Sequence, residues 1–356
     1  MIKDIRIKGF RGIKEGTISS LADLTILIGK NGSGKSSILE ALYATSSCID
    51  PKNPIGGNTK LDYLVSRRGG RGNWNSAGYV LWYQYDTTSP ISIELTIDTY
   101  TYKVVIAYRK LSPIGPSLSS TDAVWIFYKG AYINPATRHV LAPNETSYRL
   151  LNIMPEELKP FTRTLERTVL IDRRLLLNPP LIESVLWTPI ASKRLDKDIV
   201  DMIREELEPG AEGLTYIPIG NTYALAIQTP LTTIRVEDLG EGAKEAILIS
   251  MIMLGIQPTL LLLEEPEAHM HPTGLYTFMK FLVKIAKKIG TQIIATTHSL
   301  DMLRIASIIS QELKIDTKII YIERDANGIL THRTITADDF QTLEKLGIDT
   351  RLAHVL

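Results

Sequence analysis

The sequence predicts an α/β fold of P-loop type: a mainly parallel core sheet, an antiparallel β lobe and an inserted helical lobe. Three features point there. Leu24 to Ile28 is a continuous apolar run that passes through a glycine-rich loop into a helical pattern. Residues 240–324 alternate helix and strand textures, as βαβ units do. Between these, residues 79–133 are β-branched and aromatic and are cut by turn residues, which suits an antiparallel sheet of three to five strands.

Taken in order, Ile5 and Ile7 alternate with Lys3, Arg6 and Lys8, the period-2 pattern of a half-buried strand ending at Gly9. The buried strand 24–28 follows, and then a helix from Ser36 to Ala44 with Ile38, Leu39, Leu42 and Tyr43 at helical spacing. Residues 50–75 are rich in Gly, Pro, Asn and Ser and read as an exposed loop. VLWYQYD, ISIELTID, YKVVIAY and AVWIFYKGAYI supply the antiparallel strands. Residues 145–209 read as mainly helical, with Leu195, Ile199, Ile203 and Leu207 four apart and a stop at Pro209-Gly210. Strands return at 214–219 and 222–228. Beyond 240, helices are expected at GAKEAILISMIMLG, 273–288 and 300–310, and strands at TLLLL, TQIIAT and KIIYIE. The expected division is an ATPase core of residues 1–45 and 236–356, a β lobe with loops at 46–144, and a helical lobe at 145–235.

Composition removes several classes. The 356 residues hold 40 Lys plus Arg against 39 Asp plus Glu, a net charge of +1 that argues against a protein coating nucleic acid by overall charge. Hydrophobic residues at 44% and charged residues at 22% exclude disorder. The one cysteine, Cys48, excludes a disulfide framework and a cysteine-based zinc site, and fits a reducing compartment. MIKDIRIKGF has no signal-peptide character, and no run of 18 apolar residues occurs. The expectation is a soluble, cytoplasmic protein without a membrane partner.

Four motifs carry chemistry. Gly29-Lys30-Asn31-Gly32-Ser33-Gly34-Lys35-Ser36, followed by Ser37, matches G-x-x-x-x-G-K-[ST] between a buried strand and a helix. Its glycines let backbone N–H groups turn inward around phosphate oxygens, and the helix N-terminus adds positive partial charge. Lys35 can reach the β and γ phosphates, and the Ser36 hydroxyl can ligate Mg²⁺. Leu260 to Glu267, LLLLEEPE, puts two carboxylates where a buried strand emerges: Glu264 for the metal shell and Glu265 to polarise an attacking water. His298, in TTHS after the strand TQIIA, can hydrogen-bond a γ-phosphate or that water. Gly240-Glu241-Gly242 precedes a helix; on its own it reads as a glycine turn capping that helix. These residues do not read a base, so ATP and GTP both fit them.

In this order the motifs resemble the ABC-type ATPases, most closely the RecF, SMC and OLD-like branch (AAA ATPase domain, OLD-like). IKDIRIKGFRGI and LTILIGKNGSGKSSILEAL are similar to that branch's first strands and Walker A. LLLLEEPEAHMHP resembles its Walker B and D-loop, TTHS its H-loop, and LGEGAK stands in the place of the LSGGQ signature. Residues 1–45 and 236–305 carry the resemblance; 46–235 hold no nameable motif. It implies a two-lobed head with ATP and Mg²⁺ as ligands, bound between two copies head to tail. Gly240, Glu241 and Gly242 would then meet the γ-phosphate in trans, and Arg11 would match a basic residue that touches nucleotide. Gln84 is the Q-loop candidate.

The resemblance also frames partners: a homodimer, DNA or RNA, and a separate nuclease or effector. Several departures bear on function. The first Walker B acid is usually Asp, and Gly240 replaces the signature serine, which would weaken hydrolysis. No heptads follow Walker A, so an SMC-type arm is not expected. After IIYIERDANG the chain reaches Leu356, read as too short for a Toprim domain, so nuclease activity in this polypeptide is not expected. Two functions therefore compete: an ATP-driven switch and a low-turnover ATP-binding module. A transporter motor comes third.

Four smaller features complete the reading. Arg67, Arg68 and Arg71 form a basic glycine loop, either a phosphate contact or a solvated loop. His269 and His271 suit a dimer seam better than a metal pair. Trp82 and Trp125 read as packing residues, and Cys48 as inert.

Overall fold

In the computed structural model, which describes residues 1–108, 119–120, 123–141, 149–150, 154–206, 208–347 and 349, the chain enters through β1 (Ile2–Phe10), β2 (Ile13–Ile18) and β3 (Leu24–Ile28). The glycine loop leads to α1 (Lys35–Ser46), and α2 (Lys60–Arg67) and α3 (Trp74–Ala77) follow. The antiparallel part comprises β4 (Ile91–Ile97), β5 (Tyr100–Ile106), β6 (Val124–Tyr128), β7 (Ala131–Asn134), β8 (His139–Leu141) and β9 (Arg149–Leu150). Next come α4 (Lys159–Leu165), β10 (Thr168–Ile171), α5 (Arg173–Leu176), α6 (Pro179–Ser192) and α7 (Asp196–Glu206). A small sheet of β11 (Gly213–Ile219), β12 (Thr222–Gln228) and β13 (Thr233–Arg235) stands beyond them. The chain then runs through α8 (Glu241–Ile256), β14 (Leu260–Glu264), α9 (Pro272–Ile289), β15 (Gln292–Thr296) and α10 (Leu300–Leu313). It continues as β16 (Thr317–Arg324), β17 (Ile329–Thr336) and α11 (Ala337–Lys345).

One sheet joins fourteen of these strands, in the order β10-β14-β15-β3-β16-β17-β2-β1-β4-β5-β6-β7-β8-β9. The segment from β10 to β16 is parallel throughout. Alternate residues of the parallel strands feed two cores. Ile26, Leu261, Leu263, Ile293 and Ile319 face α8, α9 and α10. Leu27, Leu260, Leu262, Ile294 and Ile320 face α1 and the β lobe. Burial on both faces is why these strands read as unbroken apolar runs.

Three expectations need correction. The loop assigned to 50–75 contains α2, which buries Leu61, Leu64 and Val65, so its Gly-rich flanks hid a short amphipathic helix. VLWYQYD is not a strand: residues 78–85 form two 3₁₀ turns, with Gln84 at φ +51° and Tyr85 at φ +61°. Trp74, Trp82 and Tyr108 instead stack with ring centroids 5.4–6.1 Å apart, so aromatic packing took these residues from strand pairing. Third, Thr168–Ile171, inside the stretch read as helical, pairs in parallel with β14 as the edge of the core sheet. In the helical reading, Ile199 and Ile203 are buried on α7, while Leu207 lies outside the described residues. No helix among the described residues is long and apolar enough to cross a membrane.

Candidate active site

The glycine loop holds its shape by backbone geometry that side chains resist. Gly29, Gly32 and Gly34 have φ of +149°, +75° and +104°. A Cβ on Gly29 would collide with the carbonyl oxygen of Ile322 at the end of β16. Gly34 caps α1 in the left-handed region, so the first amides of that helix face the loop. The Lys35 Nζ donates to the carbonyls of Gly29 (2.8 Å) and Lys30 (3.0 Å), across the concavity. The Ser33 hydroxyl is buried with no hydrogen-bond partner among the described residues.

Three neighbouring parallel strands deliver the other groups. Glu264 is in register with Thr296, and Thr296 with Leu27. The Glu265 N–H donates to the Thr296 carbonyl (3.1 Å), and the Thr297 N–H to the Leu27 carbonyl (3.1 Å), which locks the strand ends together. Glu265 takes φ +49°, uncommon outside glycine, and turns its carboxylate to within 3.4 Å of His298 Nε2. The Thr297 hydroxyl and the His298 N–H both donate to Glu267 Oε1. Burial raises the Glu267 carboxyl despite these bonds. Burial and the Lys35 charge hold the His298 imidazole below its ordinary value, against Glu265, so it is mainly neutral at pH 7.

These groups line a cavity of about 590 Å³ that holds residues 31–37, Glu264, Glu265 and His298. Arg67 and Arg68 of the basic glycine loop also line it, with four charged groups that the sequence did not single out: Asp172, Arg173, Arg174 and Arg324. Asp172-Arg173-Arg174 follows the apolar run TVLI as Glu264-Glu265 follows LLLL, which was the available signal. Arg67 and Arg68 are not a freely solvated pair: both bond Glu40 Oε1, at 2.8 and 2.9 Å. Burial works against the Glu40 charge, but Arg11, Arg67 and Arg68 outweigh it and hold the carboxyl below its usual range.

The donor set fits Mg²⁺. Ser36 and Glu264 both line this cavity and offer hard oxygens. No cluster of three His, Cys, Asp or Glu side chains among the described residues is placed to hold a metal. A metal here would therefore share nucleotide oxygens and water, as Mg²⁺ commonly does.

Other sequence-predicted residues lie elsewhere. Arg11 does not line this cavity: its guanidinium donates to Glu40 Oε2 (2.7 Å), the Leu64 carbonyl (2.7 Å) and the Val80 carbonyl (3.1 Å). Its charge is satisfied inside the fold, so a nucleotide contact would require leaving three bonds. Gln84 is exposed in an adjoining cleft with Arg68 and Arg71. Gly240, Glu241 and Gly242 line a different cavity of about 340 Å³, beside His269, Met270 and His271. Gly242 packs against the His269 carbonyl so closely that a Cβ would collide with it. The Trp82 and Trp125 side chains are buried, as is Cys48, whose thiol burial pushes far up.

Burial also lowers the Lys35 ammonium to about 8, against Glu265 and Glu264. A bound polyphosphate would restore its proton. Binding above pH 8 therefore takes up a proton, and affinity falls as pH rises. The dissociation constant for a triphosphate is expected to climb towards about tenfold per pH unit above that point. Calorimetry in buffers of different ionisation enthalpy measures the proton uptake; a pH-independent constant would rule this coupling out.

Residues 1–62 and 204–303, a little under half the chain, match the family described as AAA ATPase domain. The chain is 29% identical over 113 residues to the uncharacterized protein MJECL11 of Methanocaldococcus jannaschii, covering 32% of this chain and 99% of that one. It is 36% identical over 64 residues to the energy-coupling factor transporter ATP-binding protein EcfA2 of Clostridium perfringens, covering 18% of this chain and 22% of the transporter protein. Among solved structures, the SMC head bound to the C-winged helix domain of ScpA is similar in fold, with TM-score 0.52 and 15% identity. That alignment covers 96% of this chain and 99% of the other. The chain thus has an SMC-head type of P-loop fold, and residues 1–62 and 204–303 are similar to an AAA ATPase domain.

Proposed function

We propose that this ATPase is an OLD-like, Mg²⁺-dependent cytoplasmic homodimer. ATP is held between the loop of residues 29–37 in one copy and residues 240–242 of the other, and the closed dimer switches a DNA-related or defence partner. The convergence of Lys35, Glu264, Glu265 and His298 around one cavity, from α1 and adjacent strand ends, is the main support. In this reading Glu265 orients the attacking water, His298 hydrogen-bonds the transferred phosphoryl group, and Lys35 meets its growing charge. Mg²⁺, when bound at Ser36 and Glu264, would neutralise β- and γ-phosphate oxygens. The separate position of residues 240–242 in their own chain leaves them for a second copy.

Light scattering with Mg²⁺ and a non-hydrolysable ATP analogue tests the dimer. The mass should double from 39.7 kDa, and a monomer at saturating analogue would remove the trans role of residues 240–242. A second reading is a low-turnover module that recruits a separate nuclease or effector; Gly240 in the serine's place favours it. Phosphate release with and without DNA separates the two. Release above background under either condition supports the switch, and none under both supports the module.

A further inference from the structure

Arg67 ends α2 with a side chain only 7% exposed, and its three nitrogens meet carboxylates from three elements. Nη1 bonds Glu40 Oε1 of α1 at 2.8 Å, and Nε lies 2.8 Å from Asp172 Oδ2 just past β10. Nη2 donates to Glu264 Oε2 at the end of β14. Two of these acids are fixed by other partners. Glu40 is fully buried and also bonds Arg11 and Arg68. Asp172 accepts from the Tyr63 hydroxyl (2.6 Å) and the Leu175 N–H (2.9 Å). Glu264 has only Arg67: no hydrogen bond from a described residue reaches its other oxygen, and the side chain is 21% exposed at the cavity wall.

A glutamate carries one more torsion than an aspartate, and each rotamer it can visit dilutes the geometry a metal requires. A planar guanidinium with a rigid fork of donors can hold three acids at once; an ammonium presents a point charge on a flexible stem. We propose that Arg67 is a positioning residue for the Mg²⁺ shell: it tethers Oε2 of Glu264 to α1 and to the β10 terminus, and so leaves Oε1 preset for the metal beside Ser36. This rests on the nucleotide reading of the cavity and adds a residue that none of its motifs contains.

Calorimetry with a non-hydrolysable ATP analogue, in EDTA and in Mg²⁺, tests it on the parent, Arg67→Lys, Glu264→Gln and the double variant. The ratio of the two affinities isolates the metal's part, which a purely structural role would leave alone. The ratio in Arg67→Lys should fall on the order of tenfold, as for other outer-shell partners of metal ligands. The EDTA affinity should stay near the parent's, and the double variant should lose no more than Glu264→Gln alone. An unchanged ratio in Arg67→Lys overturns the proposal, and so does an equal further loss in the Glu264→Gln background. If the arginine variant does not fold, hydrogen exchange on the parent decides. Protection at the end of α2 should rise when Mg²⁺ is added to analogue-loaded protein, and no change overturns the tether. If the parent binds no analogue in either medium, the nucleotide reading falls and this inference with it.

Discussion

Lys35→Ala is expected to abolish measurable ATP uptake. The lysine is 6% exposed, and without ligand its ammonium spans the loop to the carbonyls of Gly29 and Lys30. Those bonds hold the cation at the glycine loop, where β and γ phosphates would lie. Removing one partner of a partly desolvated charge pair costs about 2–5 kcal/mol, roughly 30-fold to several thousand-fold in affinity. The fold should survive, because the lysine bonds only loop carbonyls that water can reach once the side chain is gone. Calorimetry beside a thermal melt separates the two effects. A folded Lys35→Ala protein that binds ATP within about threefold of the parent would sink the phosphate-loop assignment.

Glu265→Gln should bind ATP and fail to turn it over. The substitution keeps shape and hydrogen bonding at a residue held at φ +49° by the Thr296 carbonyl, and removes only the base. Loss of a positioned general base lowers the rate by about 10²–10⁴-fold. Under the proposed mechanism the ATP-bound dimer then accumulates, and a sizing column should show it with Mg²⁺-ATP while the parent returns to monomer. Hydrolysis at the parental rate would remove Glu265 from the chemistry. The 3.4 Å approach of His298 gives the same variant a second signature. Glu265 raises the imidazole against burial and Lys35, so with Gln at 265 the His298 titration should move down.

What could be read in advance follows a physical divide. β3, β14 and β15 were legible because each is a buried run closed by a residue of unmistakable chemistry: Gly29, Glu264 or His298. β10 was not, since TVLI is too short to show a period and lies among helical segments. α2 was hidden for a different reason. Leu61, Leu64 and Val65 have helical spacing, but Gly56, Gly57, Gly69 and Gly70 around them dominate the local composition. Arg67 could not be placed from sequence at all. Its surroundings come from α1, the end of β10 and the end of β14, and only the tertiary fold converts an arginine in a glycine-rich stretch into a buried hub. Arg11 is the converse case: the motif suggests a ligand contact, and the structure pairs the side chain with Glu40.

The unbroken run of fourteen strands has a mechanical corollary. Within it the phosphate cup and the β lobe are joined where β17 pairs with β2, at Ile329 with Glu15 and Leu330 with Gly16. The backbone leaves this sheet from Ile171 to Asp172, where β10 passes into α5. Asp172 caps α5 beside Arg67, and Arg174 of α5 donates to the Ser66 hydroxyl of α2, so a displacement of α5 would reach the cavity wall through both side chains.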